Sequence, residues 1–450
     1  MSRNIYWCAA FAALMSHSLD ALAADNADPQ SIGEQIRQLQ QSNKQLEQRV
    51  QQAESDAAQA QATARQSMRS GTAPSSANSF NPAVAVILSG TFEQLKQDPA
   101  IPVTGFAMNA NDTGYARGFS LQESELSVFA DIDPLFTGVG TFSLAPEGGI
   151  SVENGFVQTG ALGNGFNLKF GRFFSGLGYL NEQHSHVWDF VDQPLVYREL
   201  WDNQLGEDGM QLKWLAPTDM FIEIGGEIGR GHGFPGTDRD KNGAGAGVLF
   251  AHFGDDVGIE NSWRAGISLH ETRRENAVSD NVPDMSGALV SNSFSGDSRT
   301  TGLDFIWKYS PNGNIRERYL KVQSEYFRRK ENGQLTYDTA GVNLTDSYIV
   351  TQSGWYLQSV YQFMPNWRTG LRYDRLDPGT ASVGSSISGD VIGNYGFNPA
   401  RLTWMADYNP SEFSRIRLQL AHDDSRQGLV DNQIFVQYIM SLGAHGAHQY

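Results

Sequence analysis

The sequence predicts an all-β fold: a 16-stranded antiparallel transmembrane β-barrel preceded by a short periplasmic coiled-coil helix. Three observations predict it. From Pro82 onward, segments of about ten residues alternate apolar and polar side chains, the period-2 pattern of strands with one face in lipid. The connections between these segments alternate short and long, as the two rims of such a barrel require. Finally, the chain is rich in Gly (47), Phe (25), Tyr (16) and Trp (9), yet beyond its first residues it has no run of about 18 apolar residues that could cross a bilayer as a helix.

Residues 1–23 read as a signal peptide: basic Arg3, an apolar run from Ile5 to Met15, and Ala21 and Ala23 at A-x-A spacing. The single cysteine, Cys8, falls inside it. Disulfides and thiolate metal sites are therefore excluded from the mature chain. Residues 31–69 carry Ile32, Ile36, Leu39, Asn43, Leu46, Val50, Ala53, Ala57, Ala60 and Ala64 at alternating spacings of four and three. This is a coiled-coil seam, with Asn43 at an a position that fixes register at a cost in stability. A lone helix cannot bury such a seam, so self-association is expected. A homotrimer suits a barrel assembly, the same seam is compatible with a dimer, and the periplasmic position would allow contact with peptidoglycan. Residues 70–81 are a flexible linker, and residues 82–450 form the barrel.

The alternating segments are Ala83–Leu95, Phe119–Ile132, Phe136–Leu144, Ile150–Ala161, Phe166–Gly176, Gly209–Leu215, Met220–Gly229, Ala244–Phe253, Ser262–Thr272, Thr300–Tyr309, Arg318–Arg329, Ser347–Phe363, Trp367–Leu376, Ala400–Tyr408, Ser414–Asp423 and Gln433–Leu442. Every second connection is compact and rich in turn residues: IDPLF, GALGNG, LAPTD, GDDVGIEN, SPNGN, MPN and YNPSEF. The others are long and polar, including 98–118, 180–208, 230–243, 273–299, 330–346 and 377–399, with LAPEGG the one short exception. Trp and Tyr near strand ends match interfacial girdles. The net charge of −17 argues against a nucleic-acid partner. The partner implied is the outer-membrane bilayer of a Gram-negative bacterium.

Placing apolar side chains outward assigns the intervening ones to the lumen. Glu123, Glu125, Asp131, Glu153, Glu223 and Glu227 then line the first half of the ring, and Arg264, Lys308, Lys321, Arg368, Arg372, Arg401, Arg415 and Arg417 the second. Lys169, Lys213, Asp304, Glu325, Asp374 and Asp407 interrupt that division. The third outer connection, 180–208, is expected to fold inward as a constriction. Its Glu182, His184, His186, Asp189, Asp192, Glu199 and Asp202 would then stand across the pore from the arginines, setting up a transverse field. Within it, His184, His186 and Asp189, with Asp192 beyond, form an HxH…DxxD pattern whose donors suit zinc or another transition metal. His445 and His448 are a second metal candidate. No resident cofactor is otherwise implied. No G-x-S-x-G elbow is present, and GxG at Gly243–Gly247 lacks a strand-turn-helix context, so no enzyme is expected.

The stretches NPAVAVILSGTF, ESELSVFADIDPLFTG, GRFFSGLGYLNEQHSHVWDFVDQPLVYR, WLAPTD, NPSEFSRIRLQ and the terminal AHGAH carry a resemblance. The chain resembles the 16-stranded porin superfamily, more loosely the phosphate-selective porins O and P, and more closely a family labelled zinc-regulated outer-membrane receptor or siderophore porin. The aromatic terminus, Tyr450, resembles the signal by which barrels are recognised for insertion. The porin resemblance implies passive diffusion of small polar or charged solutes. The receptor label implies instead transport of a metal ion or metal–siderophore complex. Such transport would be TonB-independent, because a TonB-dependent transporter needs a plug and about 22 strands.

Overall fold

The computed structural model describes residues 82–106, 116–122, 124–144, 148–160, 162–237 and 240–443. The signal peptide 1–23, the coiled coil 31–69, the linker 70–81, Glu123, His445 and His448 lie outside these residues.

Sixteen antiparallel strands close on themselves: β1 Ala83–Gln94, β2 Gly118–Leu121 continued as Ser124–Asp131, β3 Phe136–Leu144, β4 Ile150–Thr159, β5 Phe166–Phe174, β6 Gly206–Leu215, β7 Phe221–Gly229 and β8 Ala246–Val257. The second half comprises β9 Asn261–Pro283, β10 Leu289–Tyr309, β11 Tyr319–Tyr337, β12 Leu344–Met364, β13 Trp367–Asp377, β14 Ala400–Ser411, β15 Ser414–Arg426 and β16 Leu429–Gly443. Each strand pairs with its sequence neighbour, and β1 closes on β16 from Ala85↔Gly443 to Gln94↔Ile434.

Period-2 patterning explains the two faces. On β12, Trp355, Leu357 and Tyr361 are exposed, while Tyr356, Gln358 and Val360 between them are buried. The exposed apolar set recurs on β15 as Ile416, Leu418 and Leu420, forming the surface a bilayer covers. Cross-strand aromatics strengthen that outer face. Trp367 sits directly opposite Tyr408 with ring centroids 4.7 Å apart, a pairing that stabilises neighbouring strands.

The structure departs from the sequence reading mainly in strand length. The segments expected as outer loops at 273–299 and 330–346 are largely strand, because β9 runs to Pro283, β10 starts at Leu289, β11 runs to Tyr337 and β12 starts at Leu344. Past the lipid an outward residue can be polar while its backbone stays paired, so hydropathy loses the signal there. The turn read as GDDVGIEN contracts to residues 258–260 for the same reason. Inside the outer end, Ile387 and Ile392 from the β13–β14 connection pack on Val290, Phe294, Leu335 and Tyr348.

Candidate functional site in the barrel lumen

The largest apolar cluster lies in the lumen. It joins Leu177, Leu180, Trp188, Leu195, Val196, Tyr197, Leu200, Trp201 and Leu205 of the β5–β6 connection to Val248, Phe250, Phe327, Tyr356 and Leu376 of the wall. Val103 and Phe106, from the connection after β1, complete it. Sequence reasoning had assigned a polar lumen. The missed signal was in β8, where Val248 and Phe250 are apolar on the inner face, out of phase with exposed Leu249 and Phe253.

The connection is shaped locally. Gly178 takes φ +66°, and a Cβ there would lie 2.3 Å from Glu325 Oε2 and 2.7 Å from the Tyr197 hydroxyl. A 3-10 turn follows at Ser185–Val187, then Pro194 opens α1, Leu195–Trp201. Proline suits this start because it donates no hydrogen bond and precedes residues whose N–H groups need none within the helix. Asp202 ends α1 in the left-handed region. Arg329 donates to the Leu200 carbonyl over 3.3 Å, placing a cation at the helix C-terminus. The neck is tied by Asn181, whose amide donates to the Ser175 and Leu205 carbonyls while its carbonyl accepts from Leu205 N–H.

One side of the connection is fastened to β11–β15. Asp189 pairs with Lys321 and Arg368, and Asp192 pairs with Arg372 at 2.7 Å and Arg401 at 2.6 Å. Arg417 donates to the Trp188 carbonyl at 2.8 Å, and Arg415 to the His186 and Trp188 carbonyls. Asp407 joins the network by accepting from Arg368 and Arg417. On β11, Glu325 accepts from the hydroxyls of Tyr197 and Tyr356 and from the N–H groups of Tyr179 and Leu180. Burial alone would raise the Asp189 carboxyl, but Lys321 and Arg368 outweigh it and hold the group below the usual carboxylate range.

These contacts change the expected electrostatics. Arg368, Arg372, Arg401 and Arg417 face inward but are buried beneath the connection, and Asp189 and Asp192 lie on that wall rather than across a gap from it. A transverse field between these acids and these arginines is therefore absent, since the opposite charges are in contact.

The other side of the connection reaches the acidic wall. His184 Nδ1 lies 3.2 Å from Glu153 Oε1 and 3.4 Å from Glu125 Oε2, and His186 donates to Glu125 Oε1 at 2.9 Å. The two imidazoles stack, with centroids 5.8 Å apart. The structure thus divides the HxH…DxxD pattern: the histidines meet glutamates and the aspartates meet arginines. His184, His186 and Asp189 do not form one metal site, because Asp189 is held by two cations. Among the described residues, the group with metal-ligand spacing is Glu125, Glu153 and His184, whose ligand atoms lie within 4.8 Å of one another.

The remaining predicted residues are distributed as follows. Glu182 pairs with Lys213 at 3.0 Å, and Lys213 approaches Glu223 at 3.8 Å. Burial opposes ionisation of Glu182, but Lys213 and Lys169 bring it down to about 2. Glu227 accepts from Gly176 N–H and Gln211, anchoring the entry to the connection. Arg264 donates to the Gly178 carbonyl and pairs with Asp304. Glu199 is buried on α1, and that burial pushes its carboxyl up to about 7 despite Arg198, Arg329 and Arg426 nearby. A cavity of about 440 Å³ is lined by Gln158, Asn167, Lys169, Gln211, Lys213 and Glu223.

No family model matches the chain. The loop L8 deletion mutant of OmpT, an outer membrane protein of Vibrio cholerae, has a solved structure similar to this one at TM-score 0.50 and 12% identity, over 81% of this chain and 100% of that one. An anion-selective porin from Comamonas acidovorans gives TM-score 0.47 and 12% identity, over 81% and 100% of the two chains. A protein of Aquifex aeolicus (strain VF5), described as an uncharacterized protein, is 31% identical over 414 residues, 84% of this chain and 82% of that one. The fold is a closed 16-stranded antiparallel barrel like that of the Vibrio cholerae outer membrane protein, and the chain belongs to the same family as the Aquifex aeolicus protein.

Proposed function

We propose that this protein is a porin-type channel of the outer membrane through which small polar or charged solutes diffuse passively, narrowed by residues 175–205. The observation that carries this reading is the uneven cover of the wall by that connection. Its apolar body packs on β8 and β11–β13, while Lys169, Lys213, Glu182 and Glu223 remain partly exposed on and beside the β5–β7 wall. A path along this wall passes cations and carboxylates at close quarters, and such linings set ion preference. Both signs are present, which favours dipolar solutes over one class of ion. The coiled-coil seam supports a homotrimer as the working assembly.

Purified full-length protein in planar bilayers should give steady conductance steps, and Lys213→Glu should shift the reversal potential toward cations. A folded barrel with no conductance would remove this reading. The competing reading, a TonB-independent receptor for a metal ion or metal chelate, is favoured by the Glu125–Glu153–His184 group. It requires cellular uptake of labelled zinc or ferric chelate to fall when the gene is deleted.

A further inference from the structure

We propose that Glu125, Glu153 and His184 form a binding site for a divalent transition-metal ion of the zinc type, joining the inward connection to the barrel wall. This differs from the pattern visible in the sequence, since two ligands come from β2 and β4 and only one from the connection. It stands apart from the channel reading and does not require it.

The donor spacing is the first argument. Zinc bonds of about 2.0–2.2 Å to nitrogen and oxygen in a tetrahedral arrangement place neighbouring donors about 3.4 Å apart. His184 Nδ1 lies 3.4 Å from Glu125 Oε2 and 3.2 Å from Glu153 Oε1. Imidazole with two carboxylates is a donor set suited to zinc and its first-row neighbours.

Unsatisfied buried atoms provide the second. The Glu153 side chain is 7% exposed, and its Oε2 has no hydrogen-bond partner. Asn154 Oδ1, on the adjacent residue, is likewise buried without a partner. Asn154 Nδ2 lies 3.0 Å from His184 Nε2. Exchanging the amide oxygen and nitrogen, which are alike in shape, lets Nε2–H donate to Oδ1. The tautomer is then fixed with its proton on Nε2, and Nδ1, which faces Glu153 Oε1 and Glu125 Oε2, presents a lone pair to the ion. His186 already donates to Glu125 Oε1, so the other carboxylate oxygen, Oε2, is the one facing His184. His184 remains a quarter exposed, leaving a fourth position for water or a passing solute. A bound ion would tie the connection to β2 and β4 in addition to its attachment to the arginines.

The test is calorimetric titration of zinc chloride into purified full-length protein in detergent. Parallel samples are Glu153→Gln, His184→Ala and a tail variant with His445→Ala and His448→Ala, each checked for strand content and heat-modified gel migration. One ion per barrel is expected. Affinity should fall at least tenfold in the first two variants and stay unchanged in the third. Glu153→Asp, which keeps the charge but withdraws the oxygens, replaces either variant that does not fold and should weaken binding similarly. No zinc binding by the wild type, equal affinity in the folded site variants, or loss confined to the tail variant would overturn the proposal. Bilayer recordings on the same samples separate the two readings. Conductance without zinc binding removes the site alone, and zinc binding without conductance removes the channel alone.

Discussion

Asp192 accepts from two guanidinium groups, Arg372 and Arg401, and all three side chains are buried. Removing one member of a buried ion network leaves charge without compensation and costs about 3–5 kcal/mol. Asp192→Ala should therefore lower the thermal unfolding temperature in detergent much more than Glu182→Ala, because the Glu182–Lys213 pair is partly exposed and weakened by solvent. Glu199 makes a pH prediction of opposite sign to the usual carboxylate. Its folded-state value is about 7 against 4.5 as an ordinary side chain, so the native protein holds the proton across that window. Its contribution is favourable below about pH 4.5 and is progressively lost as pH rises to about 7, by at most about 3 kcal/mol. Glu199→Gln should flatten that part of the stability–pH curve and raise stability above pH 7. An unchanged curve would show that Glu199 is ionised in the native state. The residue types at this site were legible in the sequence, but their partners were not. Asp189 and Asp192 looked like pore-facing charges because nothing local distinguishes a solvated acid from one bound to an arginine about 180 residues away.

Among the elements, the β5–β6 connection is the most sensitive to small changes. Gly178→Ala introduces a side chain at positive φ, directly against Glu325 and Tyr197. Displacing those contacts should loosen the attachment, seen as faster proteolysis within 175–205 while strand circular dichroism is retained. Replacing residues 185–201 with a short Gly/Ser linker should raise single-channel conductance severalfold. An unchanged step size would place the narrowing elsewhere. Strand positions were legible because lipid forces apolar residues onto one face, and turns declared themselves through Pro, Asn and Gly. The ribbons beyond the bilayer were not, since Arg273, Ser293 and Asp297 sit in paired backbone without a continuous apolar outer face. The inward fold itself had a legible trace in Val248, Phe250 and Phe327, which are apolar where a water-filled wall would be polar.

For the whole molecule, the number and order of strands followed from the alternation of short and long connections, because a closed antiparallel barrel leaves no other parity. Association has to be tested separately. Deleting residues 31–69 should lower the detergent-corrected mass measured by light scattering while leaving heat-modified migration of the barrel intact, if that segment supplies the trimer contact. Equal mass before and after deletion would refute its role. The attachment of residues 175–205 also constrains how the molecule is made. Tyr197 meets Glu325 at a separation of 128 residues, and Trp188 meets Arg417 at 229. The segment therefore leaves the ribosome long before its docking surface exists. Contacts of such long range form late and slowly, so the interior is completed only as the final strands arrive, with β16 sealing to β1. Until then a strongly apolar stretch stands unshielded, and holding it soluble falls to whatever escorts the unfolded chain to the membrane.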